Sequence, residues 1–501
     1  MQLRWAQRTI LSWATALIIL SYVQALPVGL LKCLKNIRSR SESSLVTPSS
    51  PLYDTNRIGF NSYFDHRPRA IFHPASEEEA ASAILCAAAN HVAVAPRSGG
   101  HSYEGYSSGG RNGSLVIDLS QFQQFSLDRR NNIATIGAGT RLGHAYTRLW
   151  ENGEYLIPVG TCPSVGVGGH GLGGGIGVVG RKHGLLTHNI LSMTMVAANG
   201  TIHTVSPASN PDLFWALRGA GGGSFGLVTE FRVQAYEVPS PVTTVILTYK
   251  PDKMGAVLSA FAKQGKIATE DLSATLYIDK KKIEIEFTYL GSQAQMQGAI
   301  DPFIEHIGEA PFQTEFEEGT WFQAATRWGQ RAGSTLEAAS IGNMTFYHRG
   351  RSLFYRDLLS EDEVGVIEKY LQNLPKEKTW GYILIDLWGG KIDRPSEPSA
   401  FDNHKGVLFS IQFDIFWSSP HPPTPGFACE ACLKWSADFV KEMQSIYSSG
   451  PILEAYQNYI ERDMPDAFQA YYGDQLPRLR QIKKSVDPRN VFRFPQSIPL
   501  P

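Results

Sequence analysis

The 501-residue sequence predicts an α+β fold, with an antiparallel sheet backed by helices in its second half. Three observations carry this reading. Strand-like runs joined by hairpin signals are separated by helical stretches. Two glycine-rich segments, at 96–103 and 160–177, interrupt the first half, and Pro239-Ser240-Pro241 marks a linker after which the pattern changes. A chain of this length buries one large core or two ordinary ones.

The elements follow in order. Arg4 and Arg8 precede an apolar run from Ile10 to Val23, broken by Ser12, Thr15 and Ser21, and Val23-Gln24-Ala25 offers small residues for cleavage after Ala25. Residues 1–25 thus read as a secretory signal, the run being short for a membrane span; a retained signal anchor is the alternative. No membrane span is expected after cleavage. Residues 26–55, rich in Ser, Lys and Arg, read as an extended lead-in. Ser76-Glu77-Glu78-Glu79 is a capping box opening a helix to about Asn90. A short strand at Val92–Ala95 feeds the first glycine segment. Strands follow at Leu115–Leu119 and Ile133–Ile136, then a helix at Leu142–Trp150. Met193–Ala197 and Thr201–Val205 flank Asn199-Gly200, a hairpin turn signal.

Beyond the linker, strands are expected at Thr244–Tyr249, Ala274–Ile278, Ile283–Tyr289, Tyr382–Leu387 and Val407–Phe416, with helices near 252–264, 293–307 and 360–373. Ser360-Glu361-Asp362-Glu363 caps the last of these. A long helix from about Ala428 to Tyr447 leads into a Tyr-rich segment. Charged content is 19%, net charge is −1, and no basic stripe is present, so electrostatics give no argument for nucleic-acid binding. The sequons at Asn112, Asn199 and Asn343, read with the leader, point to N-glycosylation and to a secreted or secretory-pathway protein. No metal site is expected: Cys429 and Cys432 lie i, i+3 on the long helix, but zinc needs about four ligands and no second pair exists. They are read as structural or as paired with each other.

The glycine segments carry the chemistry. The first is Pro96-Arg97-Ser98-Gly99-Gly100-His101-Ser102-Tyr103; the second runs from Gly160 to Gly177 and contains Cys162. Glycine lets backbone amides approach phosphate closely, and two such loops suit a large phosphate-bearing cofactor. His101 and Cys162 suggest that it is held covalently. Gly166-Val167-Gly168-Gly169-His170-Gly171 also fits the dinucleotide pattern G-x-G-x-x-G, which wants a helix at the loop and an acidic residue about 20 residues on. Leu185-Leu186-Thr187-His188-Asn189 supplies no carboxylate, and further glycines stand where a helix should begin, so a nicotinamide dehydrogenase is disfavoured.

Together the loops resemble the FAD-linked oxidases of the berberine-bridge-enzyme group, within the vanillyl-alcohol-oxidase superfamily. The resemblance covers nearly the whole chain after about residue 55. It continues in Trp215-Ala216-Leu217-Arg218-Gly219-Ala220-Gly221-Gly222-Gly223-Ser224-Phe225-Gly226, Tyr456-Gln457-Asn458-Tyr459, Asp487-Pro488-Arg489-Asn490-Val491-Phe492 and Gln496-Ser497-Ile498-Pro499. It implies a two-lobed PCMH-type FAD-binding domain built from residues 56–238 and a C-terminal segment, 451–501. An antiparallel-sheet substrate domain, 239–450, is inserted between them, with the active site at the interface.

By the same resemblance His101 bonds the flavin 8α carbon and Cys162 ring carbon 6. Arg97, Ser98, Gly99, Gly100, Ser102, Gly166, Gly168, Gly169, Gly173 and Gly175 surround the FAD. A Cys33–Cys86 disulfide is also implied, which an oxidising compartment permits. Tyr459 is the implied base, needing a lowered pKa to work near neutrality. Asp386-Leu387-Trp388-Gly389-Gly390 resembles the Asp-x-x-Gly-Gly of fungal oligosaccharide oxidases, where the Asp assists the Tyr; a carboxylate raises a phenol's pKa by charge, so Asp386 would act as acceptor or relay. Gln412 and Tyr103 match substrate-facing positions. Val165 stands at the oxygen gate, where Val goes with oxidases that reduce O2. Ile176 and Leu384 replace residues that are polar in plant members and in sugar oxidases respectively, which counts against a sugar. The expected protein is a monomeric oxidase of a small organic molecule, plausible in a fungal-type secondary pathway. The alternatives are an oligosaccharide oxidase that forms a lactone and a flavin-binding protein without turnover.

Overall fold

The structure is a computed structural model and describes residues 28–37, 44–338, 347–375, 379–418, 424–450 and 453–501. The expected signal at 1–25 and the sequon at Asn343 lie outside the described residues. In the first half the strands are β1 (Ser44–Val46), β2 (Ala70–His73), β3 (Val94–Arg97), β4 (Leu115–Asp118), β5 (Phe125–Asp128), β6 (Ile133–Gly137), β7 (Tyr155–Leu156), β8 (Ile190–Val196), β9 (Ile202–Val205), β10 (Leu227–Gln234) and β11 (Tyr236–Glu237). They form a mixed sheet β1-β2-β4-β3, an antiparallel sheet β5-β6-β10-β8-β9 and a β11-β7 pair. The β8–β9 hairpin turns at Asn199-Gly200 as expected, with Gly200 at φ 80°.

After the linker come β12 (Val242–Tyr249), β13 (Leu272–Ile278), β14 (Ile283–Tyr289), β15 (Gln313–Gly319), β16 (Tyr347–Tyr355), β17 (Thr379–Leu387) and β18 (Phe409–Trp417). They make one antiparallel sheet, order β15-β12-β14-β13-β17-β18-β16. Alternation explains its two faces. In β14, Ile283, Ile285 and Phe287 are fully buried while Glu284 and Glu286 point the other way. In β17, Ile383, Ile385 and Leu387 are buried, whereas Trp380, Tyr382, Leu384 and Asp386 stay partly exposed. The apolar face packs on helices, as where Phe413 meets Phe439 of helix Glu430–Ile446 edge-on at 4.9 Å. The opposite face looks toward the glycine loops.

The C-terminal segment returns to the first lobe. Val94 bridges Phe492, and its N–H donates to the Val491 carbonyl at 2.9 Å. The fully buried Lys483 ammonium donates to the carbonyls of Ser224 and Phe492 and to Asp487. The result is the expected α+β architecture: a lobe made of the N-terminal half and the C-terminal tail, with a helix-backed antiparallel sheet inserted.

Several expectations need correction. The lead-in is not wholly extended: helix Val28–Lys35 packs on helix Glu77–Ala89, where Cys33 and Cys86 form a disulfide with Cα atoms 5.8 Å apart. The box at Ser76 is only half formed. Ser76 accepts from the Glu79 N–H, but the Glu79 carboxylate turns to the Ala75 N–H. A short helix, Val167–Leu172, does open inside the second glycine loop. Its glycines tolerate helical backbone, and its buried Val167 and Leu172 supply the packing that their low propensity lacks. Strands β15 and β16 and the helix Trp321–Arg331 carry charge or polarity that reads as loop, and were not expected. Cys429 caps helix Glu430–Ile446 and is bonded to Cys432.

Candidate active site

Two glycine loops are pressed together here. A Cβ on Gly99 would sit 2.2 Å from the Gly166 nitrogen, and one on Gly166 would sit 2.1 Å from Ser98 Oγ, so only glycine allows this approach. Ser98 Oγ donates to the Ala138 carbonyl at 2.6 Å and accepts from the Gly168 N–H. The buried Arg97 guanidinium donates to Asp118 and to the Asn56 carbonyl, and it holds the Asp118 carboxyl well below the usual carboxylate range against burial. Arg141 donates to the carbonyls of Gly99 and Ser164, one from each loop. Gly100 takes φ 77° and accepts from the Phe60 N–H, while Ser102 Oγ caps the Tyr106 N–H.

His101 and Cys162 converge on one serine. His101 Nε2 lies 2.9 Å from Ser164 Oγ, and Cys162 Sγ lies 3.6 Å from the same oxygen. Phe60 stacks on the His101 ring at 4.6 Å. Burial, aided by the Arg141 charge, pushes His101 down to about 3, so its imidazole is neutral at physiological pH. Val165 stands beside them, its N–H donating to the Cys162 carbonyl.

The C-terminal motif reaches the second loop from across the molecule. Tyr456 Oη accepts from the N–H groups of Gly175 and Ile176. Gln457 donates to the Gly173 carbonyl, and Asn458 to the His170 carbonyl. A Cβ on Gly173 would sit 2.0 Å from Asn458 Oδ1. This grip delivers Tyr459, which stacks on Tyr103 at 5.7 Å and meets Tyr456 edge-on at 4.9 Å. Tyr103 Oη in turn donates to Gln412 Oε1 at 2.9 Å. Gln412, on β18, pairs with Leu384 of β17 on one side and Ser352 of β16 on the other.

The Tyr459 hydroxyl hydrogen-bonds the Asp386 carboxyl, which also accepts from Thr275 Oγ1 at 3.1 Å. Burial raises Asp386 to about 6, against the lowering effect of those two bonds. The expected depression of the Tyr459 pKa is absent. Burial first, then the charge of Asp386, raises it well above the ordinary tyrosine value. Beside burial, the groups acting on it are Asp386, Tyr103, Tyr456 and Asp414, and every one of them raises it.

The sequence-predicted residues of the two loops, of β17 and β18 and of the C-terminal motif therefore meet at one cleft. Asn112 and Asn199 stand apart on the exposed surface. Ile176 packs with Phe354, Trp388, Phe401 and Tyr456 against Tyr459, in a cluster of its own. Ser164, Arg141, Thr275, Tyr456 and Phe60 were not singled out from sequence. Ser164 and Tyr456 sit inside the recognised motifs, where their polarity was the available signal. Among the described residues no group of three or more His, Cys, Asp or Glu is placed to hold a metal, and no helix is long and apolar enough to cross a membrane.

The residues present fit a flavin dinucleotide. A Cβ on the exposed Gly169 would meet nothing within 4 Å, so the second loop leaves one backbone edge open. His101, Cys162, Tyr103, Tyr459 and Asp386 all remain partly exposed to the cleft between the lobes.

Comparison with known proteins agrees. Residues 68–206 match the FAD binding domain family and residues 455–499 the berberine and berberine-like family. The chain is 31% identical over 490 residues to a xylooligosaccharide oxidase of Thermothelomyces thermophilus, covering 93% of each chain. The structure resembles Physcomitrella patens BBE-like 1 with a TM-score of 0.84 at 33% identity, over 94% of this chain and 99% of that one. It resembles glucooligosaccharide oxidase from Acremonium strictum, described as carrying a 6-S-cysteinyl, 8α-N1-histidyl FAD, with a TM-score of 0.82 at 28% identity, over 94% of this chain and 99% of that one. The cleft gathers both loops, His101, Cys162 and Tyr459, and the chain belongs to the berberine-bridge-enzyme-like family of FAD-linked oxidoreductases.

Proposed function

We propose that this protein is an oxidase that holds FAD through both His101 and Cys162 and uses Tyr459 with Asp386 as its proton acceptor. FAD supplies the chemistry of hydride acceptance. The chain's residues do the rest. His101 presents a neutral imidazole with Nε2 engaged by Ser164, which leaves Nδ1 for the link. Cys162 stands on the other side of the same serine. Residues 56–238 with 451–501 form the FAD domain, and 239–450 the substrate domain.

The observation that carries the reading is the Tyr459–Asp386 hydrogen bond inside the cleft. A phenol with so high a pKa is a poor free base, but a carboxylate near 6 beside it is charged at neutral pH and takes the phenolic proton. The tyrosine oxygen accepts the substrate's proton as its own passes to Asp386. Tyr103 and Gln412 orient the substrate across the cleft. Val165, beside the Cys162 link, leaves room for dioxygen as electron acceptor.

The substrate is a small, largely apolar organic alcohol or C–H donor, of the kind tailored in a secondary pathway. Leu384 stands partly exposed on the cleft face of β17, and Tyr382 and Tyr277 flank it in a ring contact of 4.8 Å. An aliphatic side chain in that place rewards apolar surface and leaves a sugar hydroxyl unpaired. The second reading, an oligosaccharide oxidase, draws on the 31% identical xylooligosaccharide oxidase and on Asp386. Ile176 favours neither, since it is buried in the apolar cluster that packs against Tyr459. The protein travels the secretory route, monomeric, with glycans on Asn112 and Asn199. A disulfide between Cys33 and Cys86 fits that route.

The test is anaerobic flavin bleaching against two panels, oligosaccharides and apolar alcohols. Bleaching by the second panel alone supports the first reading. Bleaching by sugars alone transfers the function to the second. A flavin that neither panel reduces, yet that dithionite bleaches, points to a storage protein.

A further inference from the structure

Ser164 is fully buried between the two side chains proposed to bind flavin, and nothing in the reaction at Tyr459 uses it. Its hydroxyl touches both, at 2.9 Å from His101 Nε2 and 3.6 Å from Cys162 Sγ. Its carbonyl is held by Arg141, which also holds the Gly99 carbonyl, two residues before His101. The backbone around it is clipped as well: the N–H groups of Leu142 and Gly143 donate to the carbonyls of Val165 and Pro163. Phe60 covers one face of the imidazole. Ser164 is thus a fixed post at which the orientation of His101 is decided.

We propose that Ser164 is the positioning residue that installs the histidyl link: it selects the His101 tautomer with Nδ1 bare and relays the proton that the link releases. This rests on the His101 link proposed above. An imidazole attacks through a nitrogen lone pair, so one nitrogen must be bare and the other must carry the hydrogen. Holding Nε2–H on Ser164 Oγ meets both needs. The neutral state is secured by burial and the Arg141 charge.

The step balances as follows. With FAD bound, a bond would form between Nδ1 and the flavin 8α carbon as one C–H bond of that methyl group breaks and its proton leaves to water. The ring loses its Nε2 proton to Ser164 Oγ, as Ser164 passes its own to water on the partly exposed Cys162 side. FAD would supply the acceptor for the two electrons, which dioxygen finally takes up together with the C–H and Nε2 protons to leave as hydrogen peroxide.

The experiment supplies FAD to apoprotein and follows flavin mass on the His101 and Cys162 peptides over time, with binding measured separately by flavin fluorescence quenching. Ser164→Ala should bind FAD yet form the His101 link about 10²-fold more slowly, the low end of what a positioned proton acceptor contributes. Ser164→Thr, which keeps the hydroxyl, should restore the rate to near wild type. A Ser164→Ala protein that links His101 at the wild-type rate overturns the inference. Should Ser164→Ala fail to bind FAD, the wild type decides: a linking rate unchanged between H2O and D2O overturns the relay, and a slower rate in D2O supports it. If the wild type itself releases all its flavin on denaturation, the covalent reading fails; if it keeps both links and Ser164→Ala forms the His101 link at the wild-type rate, only this inference fails.

Discussion

At the scale of single residues, the proposed reaction turns on how burial divides a proton between two groups. Tyr459 and Asp386 share a hydrogen bond, and burial raises both, the carboxyl to about 6. Replacing Tyr459 with Phe removes one hydroxyl and keeps the ring that stacks on Tyr103. Flavin reduction in stopped flow should slow by roughly 10²–10⁴-fold with flavin attachment unchanged. In that proposal Asp386 accepts the phenolic proton, which only its charged form can do, and burial sets the loss of that form at about 6. The reductive rate should rise with pH through about 6 and then level off. Asp386→Asn should abolish that limb; a variant that keeps it places the titration elsewhere. His101, Cys162, Tyr459 and Asp386 were legible in sequence because each sits in a motif. The environment that sets their proton affinities was not, because burial is made by residues far along the chain.

At the scale of elements, glycine content is a statement about approach. The first loop leaves β3 and the second opens the helix Val167–Leu172, and the two touch through Gly99 and Gly166. The obstacles to a methyl group on Gly166 are Ser98 Oγ and the Gly99 backbone; Ser98 Oγ is held on the Ala138 carbonyl and Gly99 is held at its own carbonyl by Arg141. Gly166→Ala should therefore cost about 1–3 kcal/mol, the usual range for overpacking, and lower flavin occupancy, read from the melting temperature and the ratio of flavin to protein absorbance. Alternation in β13, β14 and β17 was readable because one face is buried against helices and the other is not. Strand β16 was not, since every residue in it is buried, including Arg349 and Arg351. Their charge is met by Glu104, Glu461 and Asp463, partners more than a hundred residues away in sequence. Strand β15 is the exposed edge of its sheet, and its glutamates read as loop for the same reason that they protect an edge.

At the scale of the whole molecule, the first and last parts of the chain are one lobe. Lys483 shows how this is enforced: its ammonium is fully buried and satisfied by Ser224 from the first half and by Asp487 and Phe492 from the tail. Lys483→Met leaves the Asp487 carboxylate buried without its cation, at a cost of about 3–5 kcal/mol. Chemical denaturation should show that loss as a lower midpoint, with flavin fluorescence unquenched at lower denaturant than in the wild type. An unchanged midpoint would mean that the tail is held by other contacts. The same return of the chain carries Tyr456, Gln457 and Asn458 onto the second glycine loop, so tail docking and placement of the base are one event.

What the sequence by itself determined is local or repeated in recognisable order: the two glycine loops with their His and Cys, the Tyr-x-Asn-Tyr segment, the alternating strands and the family they indicate. These signals are short-range, because a glycine loop or an amphipathic strand states its need within a few residues. Only the tertiary structure decided that Ser164 stands between His101 and Cys162, that Arg141 ties both loops, that Ile176 is buried in the apolar cluster packed against Tyr459, and that Tyr459 is raised and not lowered in pKa. Each of these depends on which distant groups are brought within hydrogen-bond reach and how much water they exclude, and no window of sequence contains both partners.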